Sequence, residues 1–282
     1  MNYLIAKIFR KLRLLKKLNV RVTRSINKAE INVPLLSGFG FENLHITEFW
    51  MCNLIRKLLS LKKGVFIDVG INIGQTLIKL KTVDKNIEYI GFEPNPKCVY
   101  YANELVKQND FEHCSIIPVG IFNENKVLQL SLFSENDTDP AASVIDNFRP
   151  GEKVFKKIFV PVFDFAGLDI ALEIKDIAVV KIDVEGAELE VLQSMQETIN
   201  RMRPFIIIEI LPCYNTENFG RIQRQQAIEN LLHDINYKII RIIKGDKNTA
   251  ISYLPLAEIE IHGKIELCDY VLIPEELQAH FC

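Results

Sequence analysis

Residues 64–74 read Gly64-Val65-Phe66-Ile67-Asp68-Val69-Gly70-Ile71-Asn72-Ile73-Gly74, and the helix-forming stretch "QTLIKLK" follows. An apolar run that meets Asp68 and then two glycines four apart predicts a buried strand, a turn and a helix. Gly70 and Gly74 would let the backbone approach a ligand with no Cβ in the way. The spacing is not G-x-G-x-x-G, and no Lys-Ser/Thr pair follows to make a Walker A loop. An aspartate at the strand end repels phosphate and suits a cationic or hydroxyl-bearing ligand. A tight turn that merely ends a strand is the plainer alternative, so the surrounding pattern decides.

Strands and helices alternate from Gly64 onward. "IEYIGFE", "CSIIPVG", "IAVVKIDV", "PFIIIEI", "YKIIRII" and "YVLIP" read as strands. "NPKCVYYANELVKQ", "EGAELEVLQSMQETINR" and "RQQAIENLLHD" read as helices. The central strands are continuous apolar runs, the mark of a largely parallel sheet covered on both faces. Repeated βα units predict a doubly wound α/β fold. Between about 121 and 176 the alternation stops. There "KVLQLSLF" and "VFKKIFVPVFDF" predict an inserted pair of strands around a long polar loop, and a loop of that length is usually functional.

The first 24 residues hold Lys7, Arg10, Lys11, Arg13, Lys16, Lys17, Arg21 and Arg24 and no acidic residue. Ile5, Ile8, Phe9, Leu12 and Leu15 recur at helical spacing, which predicts a basic amphipathic helix. Such a helix fits either peripheral contact with an anionic membrane through residues 1–24, or packing on the domain or across a homodimer. Residues 25–44 read as irregular, and a second helix is expected over roughly 46–61. The division is therefore a helical extension over 1–62 and a catalytic α/β domain over 63–282.

Composition narrows the classes. With 48% hydrophobic and 25% charged residues the chain is globular, and a net charge of −2 gives no global pull toward nucleic acid. Cys52, Cys98, Cys114, Cys213, Cys268 and Cys282 are scattered with no C-x-x-C pair, so reduced thiols and a cytoplasmic location are expected. No apolar run reaches the roughly 18 residues of a membrane span, and no signal-peptide pattern is present. A peripheral position at the inner face of the membrane is compatible with that location.

Glu93 ends the second strand, about 20 residues beyond the glycine turn, where a carboxylate accepts hydrogen bonds from both ribose hydroxyls. A nucleoside without pyrophosphate, with a cationic centre beside an aspartate loop, describes S-adenosylmethionine. Glu93 as a cap and Asp68 as a turn residue are the structural alternatives.

"FIDVGINIGQT", "YIGFEPNP", "IIPVGIFNENKVLQLSLF", "VVKIDVEGAELEVLQS" and "PFIIIEI" together resemble the FkbM-type methyltransferase family, across roughly residues 64–211. The resemblance implies a Rossmann-like, seven-stranded class I methyltransferase fold and S-adenosyl-L-methionine as donor. It also implies O-methylation of a sugar, surface glycan or polyketide hydroxyl, hence a small-molecule or glycan acceptor. Carried over, Asp68, Gly70, Asn72 and Gly74 would hold the methionine part, Glu93 the ribose, and Gly120 and Ile121 the adenine. Asp183 would face the methyl group.

At the fourth strand "KIDVEGAE" sets Asp183, Glu185 and Glu188 within six residues, with a helix expected to start near Glu185. Asp183, or Glu185 as second choice, is the candidate base for the acceptor hydroxyl. Glu188 fits simple helix-start chemistry. Lys181 is charged on a buried strand and is expected to pair with one of these carboxylates, and with Glu209 it is a candidate substrate residue. Glu209, ending "FIIIEI", would orient substrate or pair with Lys181. No complete metal-ligand set is visible, so no metal is assigned. A catalytically silent binding or scaffold protein of the same fold is the competing reading. A nicotinamide-dependent dehydrogenase fails on the missing glycine fingerprint.

Overall fold

The structure is a computed structural model, and it describes residues 3–12, 14–146, 148–149, 151–245 and 251–281. Arg13, Asn147, Pro150 and Cys282 therefore lie outside the described residues.

The chain opens with helix α1 (Tyr3–Lys11) and a hairpin of β1 (Asn19–Ile26) and β2 (Ala29–Leu36), followed by α2 (Phe49–Leu61). The expected basic helix is thus confined to nine residues, and the 25–44 stretch is half strand rather than irregular. The extension is helix–hairpin–helix, not helical throughout. Period-two alternation wins in β1: Val22 and Ile26 are buried while Arg21, Thr23 and Ser25 face outward. Asn27 and Lys28, at φ 47° and 69°, close the hairpin as a two-residue turn whose hand matches the strand twist. The hairpin is then bolted to the domain. The Tyr101 hydroxyl donates to the Pro34 carbonyl at 2.9 Å, and Asn32 exchanges backbone bonds with the Asn109 amide at 2.7 and 2.8 Å.

The α/β domain follows as β3 (Val65–Val69), α3 (Gln75–Val83), β4 (Tyr89–Phe92), α4 (Pro96–Gln108) and β5 (Cys114–Ile117). Pro118 breaks the expected third strand, and its last part becomes β6 (Gly120–Ile121) in a separate small sheet. There β6 pairs with β8 (Lys156–Phe163), which pairs in turn with β7 (Lys126–Leu132). The chain continues through α5 (Asp169–Glu173), β9 (Ile177–Ile182), α6 (Glu188–Met202), β10 (Phe205–Glu209) and α7 (Phe219–Asp234). It ends with β11 (Tyr237–Lys244), β12 (Ile251–Leu256), β13 (Asp269–Pro274) and the short α8 (Gln278–Phe281).

The main sheet has eight strands in the order β12-β11-β13-β10-β9-β3-β4-β5. Counted from β3 with β12 left aside, the order is 3-2-1-4-5-7-6, with β13 antiparallel to both neighbours. This is the doubly wound sheet expected for a class I methyltransferase, plus one edge strand. Alternate residues face opposite layers. Phe66 and Ile207 pack with Leu54, Leu77 and Tyr101 on the face covered by α2, α3 and α4. Ile67 and Val180 pack with Leu192, Ile228 and Leu232 on the face covered by α6 and α7. Connections reverse direction between β3 and β9, which opens a crevice at their carboxyl ends. The five described cysteines are all free thiols. Among the described residues no helix is long and apolar enough to cross a membrane.

Candidate active site

A cavity of about 590 Å³ occupies that crevice. The size suits a bound small molecule. Gly70, Asn72, Glu93, Gly120, Ile121, Lys181, Asp183, Glu185 and Glu209 all line it. Asp68 and Gly74 do not.

Strand register explains the glycine turn. Asp68 pairs with Lys181 and Val69 with Ile182, so the two loops leave their strands side by side. Gly70 has φ 89°, and a Cβ there would lie 1.9 Å from the Asp183 carbonyl oxygen. This glycine is required by close approach of one loop to the other. Gly74 serves α3 as its left-handed N-cap, where a Cβ would press on Leu105.

Asp68 corrects the sequence expectation. It sits inside the strand, fully buried, and is not part of the cavity lining. The Tyr89 hydroxyl donates to it at 2.8 Å, and Lys181 lies 3.5 Å away. Burial raises its pKa, against the opposing pull of Lys181 and Tyr89. Asp68 is the inner anchor of Lys181 rather than a wall of the ligand site. Burial likewise pulls Lys181 down, but the Asp183 and Asp68 carboxylates outweigh it and hold the ammonium above the ordinary lysine value. Lys181 reaches Asp183 at 3.0 Å and the Gly70 carbonyl at 3.4 Å.

On the other flank, Glu93 accepts the Asn72 backbone N–H at 2.8 Å and the Asn95 backbone N–H at 2.9 Å, one on each oxygen. Each oxygen keeps a second lone-pair direction. Burial pushes the Glu93 carboxyl up to about 7, against those two amides. Phe92, Ile121 and Val162 add apolar wall nearby.

The third side is acidic. Oxygens of Asp183, Glu185 and Glu209 lie within 4.8 Å of one another. Burial and the neighbouring Asp183 and Asp269 charges raise Glu209 well above the carboxylate range. Burial, then Asp183, raises Glu185, while Arg149 opposes. The helix does not begin at Glu185 as its sequence suggests. Glu185 has φ 54° in the preceding turn, α6 starts at Glu188, and Glu188 accepts the Gly186 N–H at 2.8 Å.

Several contributors escaped the sequence reading. The inserted loop over 133–155 is tied down on both sides of the cavity. Asn72 and Asn95 side chains donate to the Thr138 and Asp137 carbonyls at 3.3 and 2.8 Å. Across the gap, Arg149 bridges to Glu185 at 2.6 Å, and the Ser143 hydroxyl donates to the Glu185 carbonyl at 2.6 Å. Phe148 covers Gly186 so closely that a Cβ there would lie 2.6 Å from its ring. Lys79 pairs with Glu48 at 2.7 Å, and Lys244 pairs with Asp269, all four lining the cavity. The antiparallel direction of β13, which sets Asp269 opposite Glu209, has no signature in a short apolar strand.

A sheet of this order, with its crevice walled by a strand-end glutamate and a lysine-anchored aspartate, defines the Rossmann-like methyltransferase class. The sequence model of the methyltransferase FkbM domain matches residues 68–239, more than half of the chain. The chain belongs to the FkbM methyltransferase family. No curated protein matches the chain. Among solved structures, methyltransferase FkbM from Methylobacillus flagellatus KT is 14% identical with a TM-score of 0.45, over 75% of this chain and 43% of that one. The chain thus spans less than half the length of that relative. A SAM-dependent methyltransferase from Aquifex aeolicus is 13% identical with a TM-score of 0.41, over 80% and 90% of the two chains. Magnesium protoporphyrin IX methyltransferase from Synechocystis PCC 6803, with bound SAM, is 12% identical with a TM-score of 0.38, over 83% of each chain.

Proposed function

We propose that this chain is an S-adenosylmethionine-dependent O-methyltransferase acting on a hydroxyl of a sugar, surface glycan or related natural product. The observation that carries the reading is that Glu93 and Asp183 line one cavity, at the carboxyl ends of β4 and β9, the two strands that flank β3. The residues fit the cofactor chemically. Glu93 offers free lone pairs to two vicinal hydroxyls, and Phe92, Ile121 and Val162 suit a purine face. Gly120 keeps that wall thin, since a Cβ there would meet Val162 at 3.0 Å and Pro94 at 3.4 Å.

The cofactor, when bound, supplies a methyl group already activated on a sulfonium. The chain's residues then have to orient the acceptor oxygen and take its proton. Asp183 is the base of this reading: its carboxylate accepts the hydroxyl proton as the oxygen attacks. Lys181 holds Asp183 in place through its ammonium, which donates to the carboxylate at 3.0 Å. Glu209, whose carboxyl is pushed upward by burial and the Asp183 and Asp269 charges, is the group of this reading that donates a hydrogen bond to a substrate oxygen. Carboxylates outnumber the three lysines on the walls, which suits a neutral polyhydroxyl acceptor better than an anionic one. Calorimetric titration with S-adenosylmethionine, followed by methyl transfer to hydroxylated saccharides, tests the proposal. Cofactor binding with no transfer to any hydroxyl acceptor would favour the catalytically silent reading. Absence of binding would refute the methyltransferase reading and leave the scaffold one.

A further inference from the structure

Helix α1 attaches to the body by a narrow side. Ala6 is buried, and Tyr3 and Phe9 pack against the core. Ile5, Ile8 and Leu12 are exposed at 43, 55 and 60%, with Leu4 at 64% beside them. At about 3.6 residues per turn these four share one stripe, and Lys7 and Lys11 run along its border. Leu14, just past the helix, continues the exposed apolar surface. Residues 1–29 contain no Asp or Glu; the first acidic residue is Glu30. The local field registers on His45, whose pKa is held below the ordinary value by burial and then by Lys7, Arg24 and Arg10.

An aliphatic stripe edged by cations, on a helix too short to span a bilayer, matches the boundary between lipid headgroups and acyl chains. A single nine-residue helix presents far less than the roughly 800 Å² that one partner contributes to a standard protein interface. Insertion at a lipid surface needs no more than such a stripe, and the cations complement anionic headgroups. We propose that α1 is an interfacial anchor that docks this chain on an anionic lipid surface, with Ile5, Ile8 and Leu12 entering the headgroup boundary and Lys7 and Lys11 meeting lipid phosphates. The anchor is coupled to the cavity wall. The Tyr3 hydroxyl meets the His45 ring at 3.0 Å, and the Arg10 guanidinium lies 4.1 Å from the centre of the Phe41 ring. The Phe41–His45 turn between them carries Glu42, which lines the cavity.

Flotation of the full chain with phosphatidylcholine vesicles, with and without phosphatidylglycerol, is the test. The parent is expected to float with the anionic vesicles at low salt. Binding should fall at least about tenfold with neutral vesicles, or in about 0.5 M salt, where screening lengths shrink to a few ångströms. Each lysine near an anionic surface contributes about a fivefold factor, so Lys7→Gln/Lys11→Gln should bind about 25-fold more weakly. Full-chain Ile5→Ser/Ile8→Ser/Leu12→Ser should also lose binding while keeping the parent's melting temperature, because these side chains are exposed. Failure of the parent to float with anionic vesicles overturns the proposal. So does flotation of the triple variant equal to the parent's. A dimer in place of vesicle binding, dissolved by the triple variant, would assign the stripe to a second copy instead.

Discussion

Replacing Lys181 with Met removes the cation that stands beside a fully buried carboxylate. Asp68 is 0% exposed and keeps just the Tyr89 hydroxyl once the ammonium at 3.5 Å is gone. At an effective dielectric of about 20, a pair at that distance interacts by about 5 kcal/mol. Asp68 can escape part of that by taking a proton. Starting from the ordinary value of 3.8, neutralising it at pH 7 costs about 4 kcal/mol. The expected loss is therefore about 3–4 kcal/mol, in line with breaking other buried pairs by removing one partner. The sign with pH follows. In the variant, Asp68 has a raised folded pKa, so stability is lowest above that value and is regained as pH falls toward the unfolded one. Urea unfolding followed by circular dichroism at pH 7 and pH 5, on Lys181→Met, Asp68→Asn and the double variant, measures this. The double variant should recover most of the loss, because Asn at 68 carries no charge and still accepts from Tyr89. A single variant within 1 kcal/mol of the parent, or a double variant no better than Lys181→Met, would refute the reasoning.

Asp183→Asn keeps size and removes the base, so turnover on the true acceptor should fall by about 10²–10⁴ while cofactor affinity survives; near-parent turnover eliminates Asp183 as base. Glu93 sits at about 7 in the folded chain against an ordinary 4.5, so its contribution to stability declines as pH rises through that window, by about 3 kcal/mol at most. Glu93→Gln should flatten the pH dependence of the melting temperature between about pH 5 and 7.5, and an unchanged slope would show that Glu93 is not the group responsible. Arg149→Ala releases Glu185 and one end of the 133–155 loop, and a charge-assisted bond of this kind contributes roughly 1.5–3 kcal/mol. The acceptor KM should rise about tenfold or more with a smaller change in kcat, and equal KM values would show that the loop's closure does not depend on this pair.

The parallel half of the sheet was legible because its strands carry their own signature. Val65–Ile67 and Ile177–Val180 are apolar on both faces, and only a strand covered on both sides can use such a run. The hairpin was not legible, because its first strand lies in a cation-rich stretch whose preceding apolar residues recur at helical spacing, and its turn uses Asn27-Lys28 instead of a glycine. The site divides along the same line. Strand-end residues such as Glu93 and Asp183 are fixed by position in the chain. The side toward which Asp68 points depends on pleat and register, and its pairing with Lys181 in the neighbouring strand appears only once the sheet is assembled. Arg149 and Ser143 reach Glu185 across 36 and 42 residues of chain, and no local pattern encodes those two contacts.

The place of β13 bears on how the chain is made. β10 and β11 never pair with each other; β13 lies between them and bonds to both. A nascent chain that has completed β10, β11 and β12 therefore holds two unpaired isoleucine-rich edges, at Ile206–Ile208 and Ile239–Ile243, until residues 269–274 have left the ribosome. Such edges are templates for pairing with other chains. The interval between synthesis of β11 and arrival of β13 therefore leaves both edges open to pairing with other chains. A truncation before residue 269 would make that interval permanent.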